Sequence, residues 1–188
     1  IDDLKLLAGR NQLEFTQSAK YHVILPLLPD DQIIRQIKLN NEINKKYLGK
    51  AYKPKGFYAP EMCWGAKLIK ILEKFKIKWV ILDEISYQKK LGKVNFDQGY
   101  QIVNSQIKVI FRNRIISNYF PFKSEPDKPQ VFYDKLKEEN RSNNVLITAM
   151  DGENLGHHRE KIDKLWEEVV TQDNIKTQQC TDLLKNYR

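Results

Sequence analysis

Apolar and polar positions follow a helical period in several parts of the chain. Between residues 30 and 48, four isoleucines and Tyr47 recur near the 3.6-residue spacing, and Gly49 follows them as glycine commonly follows a helix. The same reasoning predicts helices over 66–75, 128–139 and 158–170. A strand or turn near Ile175 and a short closing helix complete the prediction.

Short apolar runs between these segments predict strands. They cover residues 56–59, 79–82, 107–111 and 144–150, and a further extended stretch covers 13–16. Strands that alternate with helices are typical of an α/β fold with a mainly parallel sheet, either open or rolled into a barrel. Because the sequence contains no internal repeat, we expect residues 1–188 to form a single domain.

Carboxylates follow three of the predicted strands. They are Glu61 after 57–59, Asp83 and Glu84 after 79–82, and Asp151 and Glu153 after 145–150. Parallel α/β folds place their reactive groups at the carboxyl ends of the strands, so we expect a site there. Glu14 is expected at a similar strand end, and Arg112 is expected to be a buried partner of a strand-end carboxylate.

Composition narrows the classes of function. With 41% hydrophobic residues the chain can bury a core, and its net charge of +8 comes largely from scattered lysines. Those from Lys67 to Lys78 have the spacing of a solvated helical face. A protein that binds nucleic acid would cluster its basic residues among stacking aromatics, so no nucleic-acid partner is expected.

Cysteine content and hydrophobicity bear on location. Cys63 and Cys180 are too few for a disulfide framework, which favours a reducing, cytoplasmic compartment. No apolar run approaches the roughly 20 residues that span a bilayer, and the first residues lack a signal-peptide pattern. We therefore expect a soluble protein without a membrane partner. The absence of an initial Met indicates a mature start or an excised fragment.

Several motifs together resemble glycoside hydrolase family 57. They are GFYAPEMCW at 56–64 with WVILDE at 79–84, MDGENLGHH at 150–158, NQLEFTQSAKYHVILPLL at 11–28 and VIFRNRIISNYFPF at 109–122. Members of this family act on α-glucans and related sugars. The resemblance implies an incomplete barrel of the (β/α)7 type with helices outside, of which this chain holds the middle strands.

The resemblance also implies the catalytic residues. Glu61 matches the nucleophile of the Pro-Glu motif, and Asp151 matches the general acid/base before Gly152. A retaining glycosidase needs two such carboxyls roughly 5–5.5 Å apart, in environments that separate their pKa values. We therefore expect a covalent glycosyl-enzyme intermediate, an oligo- or polysaccharide substrate, no cofactor and no metal. Hydrolysis and transfer both stay open.

Further residues are expected to contact the substrate. Tyr58 and Trp64 offer flat ring faces for a sugar, with core packing as the alternative, whereas Phe57 is expected in the core. Glu14 is expected to bond sugar hydroxyls or to pair with a lysine. Glu153 and His157 complete the predicted binding residues, and His157 and His158 diverge too far on a helix to face one ligand together.

The chain also departs from the family pattern. No His-Gln-Pro-like motif precedes Glu14, Tyr58 stands where Trp is usual, and we expect the family's helical C-terminal domain to be absent or reduced to the last residues. Two other classes therefore stay open. One is a metal-dependent polysaccharide deacetylase, although His157 and His158 lack the ligand spacing and His22 is the only other histidine. The other is a non-catalytic carbohydrate-binding protein of the same fold.

Overall fold

A computed structural model describes residues 1–122, 128–139, 145–157, 160–172 and 175–187. The chain divides into two compact units. Unit 1 comprises Ile1–Leu82, Gly99–Ile110 and Gln179–Arg188, and unit 2 comprises Asp83–Gln98 and Phe111–Gln178. The expectation of a single domain stays a prediction. In the described residues, no helix combines the length and the hydrophobicity needed to cross a bilayer.

Helices and strands alternate over residues 2–83, and in the described residues that follow, two strands precede four helices. The helices are α1 (Asp2–Gly9), α2 (Asp30–Leu48), α3 (Lys67–Lys74), α4 (Arg114–Phe122), α5 (Pro129–Glu139), α6 (Ile162–Val170) and α7 (Cys180–Asn186). The strands are β1 (Thr16–Gln17), β2 (Gly56–Tyr58), β3 (Trp79–Asp83), β4 (Tyr100–Gln101) and β5 (Lys108–Arg112). Helices predicted over 30–48, 66–75 and 128–139 are thereby confirmed, as are the strands at 56–59, 79–82 and 107–111.

The sheet of unit 1 has the strand order β1-β2-β3-β5-β4. β1 pairs parallel with β2, and β2 pairs parallel with β3, with Phe57 opposite Val80. β4 and β5 pair antiparallel. The last residues of β3 and β5 belong to unit 2. The mainly parallel sheet brings the carboxyl ends of β1, β2 and β3 to one edge.

The core of unit 1 explains its strands and helices. Phe57 and Val80 are fully buried, because a parallel strand covered on both faces needs a continuous apolar run rather than an alternating one. α2 buries Ile33 and Ile37 on one face and ends at Gly49, whose φ of 56° favours glycine. In these elements of unit 1, the residues that the apolar pattern assigns to the core are therefore the buried ones.

Unit 2 has a separate core on α4, α5 and α6. Ile116, Phe132, Ile162, Leu165 and Val169 are buried together there. The predicted helix over 158–170 begins later than expected, at Ile162. Its start follows from the backbone of Lys161, which has a left-handed φ of 66° that a continuing helix does not tolerate. His158 lies outside the described residues.

The predicted strand at 144–150 is wrong, since residues 145–150 form no strand. The Asn113 N–H donates to the Ile147 carbonyl at 2.7 Å, as in a parallel ladder. The next ladder bond would join the Ala149 N–H to the Asn113 carbonyl. Instead, the Ala149 N–H donates to Ser117 Oγ at 3.1 Å, and Ser117 Oγ–H donates to that carbonyl at 2.6 Å. The inserted hydroxyl interrupts the ladder.

Candidate active site

Glu61 is presented by a strained turn directly after β2. Glu61 and Met62 both have left-handed backbone, with φ of 55° and 48°. For residues other than glycine this costs about 1–3 kcal/mol each and occurs preferentially at functional sites. The Met62 N–H donates to the Ala59 carbonyl at 2.8 Å and holds the turn. The Glu61 side chain is 60% exposed, so its carboxylate is open to a ligand.

His22 contacts this carboxylate, although 39 residues separate the two in sequence. Its Nε2 lies 2.7 Å from Glu61 Oε1. In the tautomer protonated at Nε2, the imidazole donates this bond and orients the carboxylate. Sequence reasoning considered His22 only as a metal ligand. The one signal for a site role was its position in the stretch 11–28 that resembles the family.

A second set of contacts holds the loop of His22 against the loop of Glu61. Lys67 Nζ donates to the Leu28 carbonyl at 2.5 Å. A Cβ added to Gly65 would lie only 3.1 Å from Pro26 Cβ, which shows how closely the two loops approach. The bond between His22 and Glu61 therefore belongs to a packed loop pair and is not an isolated surface contact.

The aromatic residues near Glu61 differ in burial. Phe57 is 0% exposed and lies in the core, as expected. Tyr58 and Trp64 are half-buried, and they flank the Glu61 turn in sequence. Partly exposed rings are suitable for packing against the C–H face of a sugar. The substrate role of these two residues stays a prediction.

The expected strand-end position of Glu14 is wrong, because Glu14 precedes β1. Its Oε2 accepts the Thr181 N–H at 3.0 Å, and its Oε1 accepts the Thr181 hydroxyl. Thr181 lies in the first turn of α7, where free N–H groups and the helix dipole favour a negative charge. These contacts favour a structural role, and a sugar contact of Glu14 stays a prediction.

Trp79 and Cys180 adjoin this Glu14 contact. Trp79 Nε1–H donates to Thr181 Oγ1 at 3.0 Å, which ties β3 to α7. Burial raises the pKa of the Cys180 thiol to about 11, and the nearby Glu14 carboxylate adds to the rise. Cys180 is therefore mainly in the protonated thiol form at neutral pH.

Asp151 lies in unit 2 at the end of residues 145–150. It is exposed and directly precedes the single helical turn Gly152–Asn154. Glu153 and His157 are also exposed, and the His157 N–H donates to the Glu153 carbonyl at 3.0 Å. Glu61, Tyr58 and Trp64 belong to unit 1. The expected separation of the Glu61 and Asp151 carboxyls stays a prediction.

The carboxylates of Asp83, the last residue of β3, and of Glu84 have a different environment from Glu61 and Asp151. Asp83 Oδ2 lies 2.7 Å from Arg112 Nη2 and 2.9 Å from Arg114 Nη1. Glu84 is 0% exposed and accepts the N–H groups of Arg114 and Gly92. The prediction of Arg112 as a buried charge partner is confirmed. These two carboxylates are occupied internally, whereas Glu61, Asp151 and Glu153 are exposed.

Comparison with known proteins relates this arrangement to a family. The model of Glycosyl hydrolase family 57 matches residues 1–188. The chain is 30% identical over 159 residues to Alpha-amylase 1 of Dictyoglomus thermophilum, an alignment that covers 82% of this chain and 22% of the amylase.

Solved structures agree with the predicted fold. The chain matches a 4-alpha-glucanotransferase from Thermococcus litoralis with a TM-score of 0.78 and 20% identity, covering 100% of this chain and 30% of that structure. A Mycobacterium smegmatis protein described as a polysaccharide deacetylase matches with a TM-score of 0.66 and 12% identity, covering 98% and 65%. The predicted fold class, part of an incomplete α/β barrel, is confirmed. The chain spans less than a third of the amylase and of the glucanotransferase.

Proposed function

The chain belongs to glycosyl hydrolase family 57, and on this premise we propose that it carries both reacting carboxylates of a retaining enzyme that acts on α-glucans. Glu61 is the nucleophile and Asp151 is the general acid/base. The observation that carries the proposal is the exposed Glu61 carboxylate, which a left-handed turn presents after β2 and His22 holds through one oxygen. The substrate class follows the alpha-amylase and 4-alpha-glucanotransferase relatives.

The proposed chemistry proceeds in two displacements. Glu61 attacks the anomeric carbon while Asp151 gives its proton to the glycosidic oxygen, and the bond between that oxygen and the anomeric carbon breaks. A water molecule or a sugar hydroxyl then attacks the same carbon and gives its proton to Asp151, and the bond to Glu61 breaks. Two inversions give net retention. The proposal requires both carboxyls to reach one glycosidic bond.

His22 orients the nucleophile in this proposal. It occupies Oε1 of Glu61, and in the described residues no group donates to Oε2, which is therefore the attacking oxygen. The His22 and Glu61 side chains are each 60% exposed, so their pairing contributes only about 0–1 kcal/mol to stability. Positioning of the carboxylate is thus the main effect of the bond.

Chemical rescue with azide tests the two roles separately. With a 4-nitrophenyl α-malto-oligosaccharide, Glu61→Ala is expected to lose turnover by several orders of magnitude. Added azide then attacks the anomeric carbon directly and gives the inverted β-glycosyl azide. Asp151→Ala still forms the intermediate on this activated substrate, so azide gives the retained α-glycosyl azide. Glu42→Ala, which removes an exposed carboxylate of α2, is the matched control and keeps wild-type turnover.

Other outcomes assign the chain to another class. Inverted product from the wild type, or full activity of Glu61→Ala, would exclude the proposed roles. Release of acetate from an acetylated polysaccharide, lost on chelation and unaffected by Glu61→Gln, would indicate a deacetylase. Binding of malto-oligosaccharides without turnover, measured by calorimetry, would indicate a binding protein.

A further inference from the structure

The segment that leads to Asp151 is held by side chains where a strand would use ladder bonds. Both backbone groups of Ala149, two residues before Asp151, bond to side chains of unit 2. The Ala149 N–H donates to Ser117 Oγ at 3.1 Å, and the Ala149 carbonyl accepts from Arg112 Nη1 at 2.8 Å. Leu146 and Met150 of the same segment pack against the core of unit 2. The segment is therefore fixed by polar and apolar contacts together.

Ser117 sets the distance between this segment and Asn113. Its hydroxyl accepts from Ala149 and donates to the Asn113 carbonyl, so it stands between two groups that would otherwise bond directly. Ser117 and Asn113 are both 0% exposed. Removal of the hydroxyl leaves the Ala149 N–H without this acceptor unless Ala149 moves towards the Asn113 carbonyl, which also accepts the Ser117 N–H at 3.0 Å. Because Met150 is the one residue between Ala149 and Asp151, a movement of Ala149 displaces Asp151 as well.

Arg112 holds Ala149 through the Ala149 carbonyl group. Nε and Nη2 of Arg112 lie 2.8 and 2.7 Å from Asp83 Oδ2, which leaves Nη1 for the Ala149 carbonyl. The Arg112 and Asp83 side chains are only 11% and 8% exposed. Because the guanidinium is planar, the ion pair with Asp83 fixes the direction of Nη1. A lysine ammonium has no such rigid fork and does not hold both partners in this geometry.

We propose that Ser117 and Arg112 are positioning residues for Asp151, which they act on by fixing Ala149. This inference rests on the proposed function of Asp151 as general acid/base. Proton transfer depends on placement of the donor to within a fraction of an ångström. A displacement of about 1 Å costs on the order of 100-fold in rate.

The leaving group of the substrate provides the test. Cleavage of maltoheptaose requires protonation of the departing sugar oxygen, whereas a 4-nitrophenyl α-malto-oligosaccharide departs with little help. Ser117→Ala is expected to lower kcat/KM for maltoheptaose by about 10- to 100-fold and for the nitrophenyl substrate by a few-fold at most. Arg112→Lys is expected to show the same selective loss. A merely structural role would lower both values equally, through the amount of folded protein.

Arg114→Lys is the matched control. Arg114 also bonds Asp83 Oδ2, but it makes no hydrogen bond to Ala149 in the described part of the chain, so the ratio of the two kcat/KM values is expected to stay at the wild-type level. Hydrogen exchange of the amides at 145–151, measured by mass spectrometry, provides a readout independent of activity. It is expected to accelerate in Ser117→Ala and to stay unchanged in Arg114→Lys.

The outcomes separate this inference from the proposed function. If Asp151→Ala shows the selective loss on maltoheptaose but Ser117→Ala and Arg112→Lys do not, the positioning roles are refuted and the proposed function stands. If Asp151→Ala lowers kcat/KM equally for both substrates, its role as general acid is refuted. Unchanged exchange at 145–151 in Ser117→Ala refutes the fixing of Ala149, whatever the activity.

Discussion

Replacement of Gly56 by alanine tests the packing beneath the candidate nucleophile. Gly56 begins β2, the strand that leads to Glu61, and a Cβ at this position would lie 2.2 Å from both Cη2 and Cζ2 of Trp79. Carbon atoms pack at about 3.5–4.0 Å, so the indole ring must move by at least about 1.3 Å, or the strands must separate. Both movements disturb the paired strands β2 and β3.

The cost follows from what restrains the Trp79 ring. Trp79 is 2% exposed, and its Nε1–H donates to Thr181 at 3.0 Å. Overpacking of a buried site costs about 1–3 kcal/mol, and loss of the indole bond adds about 0.5–1.5 kcal/mol. We therefore expect Gly56→Ala to lower the free energy of unfolding by about 2–4 kcal/mol.

Urea denaturation followed by circular dichroism measures this cost, and a second substitution identifies its cause. Trp79→Phe removes the part of the indole ring that clashes and itself costs about 1–3 kcal/mol. In that background, Gly56→Ala is expected to change the free energy of unfolding by less than about 1 kcal/mol, because glycine within a strand is slightly unfavourable. Gly9→Ala, where an added Cβ meets nothing within 4 Å, is the matched control.

Equal costs of Gly56→Ala in the wild-type and Trp79→Phe backgrounds would contradict this prediction, since the clash would then not involve the indole ring. So would a neutral effect of the single substitution. A coupling of about 2 kcal/mol or more between the two positions is the expected result.

Three further predictions concern the site and its surroundings. His22→Ala is expected to lower kcat for α-glucan substrates by about 10- to 100-fold through loss of Glu61 orientation, with Tm nearly unchanged and partial recovery in His22→Gln. Asp83→Asn is expected to lower the free energy of unfolding by about 3 kcal/mol or more in urea denaturation, because buried guanidinium charge loses its counter-ion. Alkylation of Cys180 by iodoacetamide is expected to accelerate about tenfold per pH unit between pH 8 and 10, since its pKa of about 11 keeps the reactive thiolate scarce below that pH, and to be faster in Glu14→Gln.

Each of these predictions has a result that would contradict it. For His22, it is a fall in Tm that accounts for the lost activity. For Asp83, it is a change no larger than that of the exposed control Asp163→Asn, which is expected to stay within about 0.5 kcal/mol. For Cys180, a rate that levels off below pH 9 would exclude the raised pKa.

The local sequence pattern was sufficient to predict those helices and strands whose buried residues follow the hydrophobic period of that one helix or strand. The isoleucines of α2 recur at the helical spacing, and the run in β3 is continuously apolar because both faces of that strand are covered. The motifs around Glu61 and Asp151 were likewise readable in the sequence, since each is a short contiguous stretch. Both kinds of signal depend only on residues that are close in the chain.

Contacts between distant residues decided the rest. Local pattern predicted a strand at 144–150 from its apolar residues, but the hydroxyl of Ser117 interrupts the ladder there. Glu14 was expected at a strand end and instead accepts bonds from Thr181, 167 residues away.

The α/β class, the family and the candidate carboxylates Glu61 and Asp151 could be read from the amino-acid sequence, because hydrophobic period and contiguous motifs are local properties. The burial of Asp83 against Arg112 and the exposure of Glu61 beside His22 depend instead on how the chain folds. The two carboxylates have the same chemistry and follow strands of the same kind. The two carboxylates differ in the side chains that the fold brings next to them. Hydrogen bonds and charge pairs depend on the distance between two groups in space, and not on their separation along the chain.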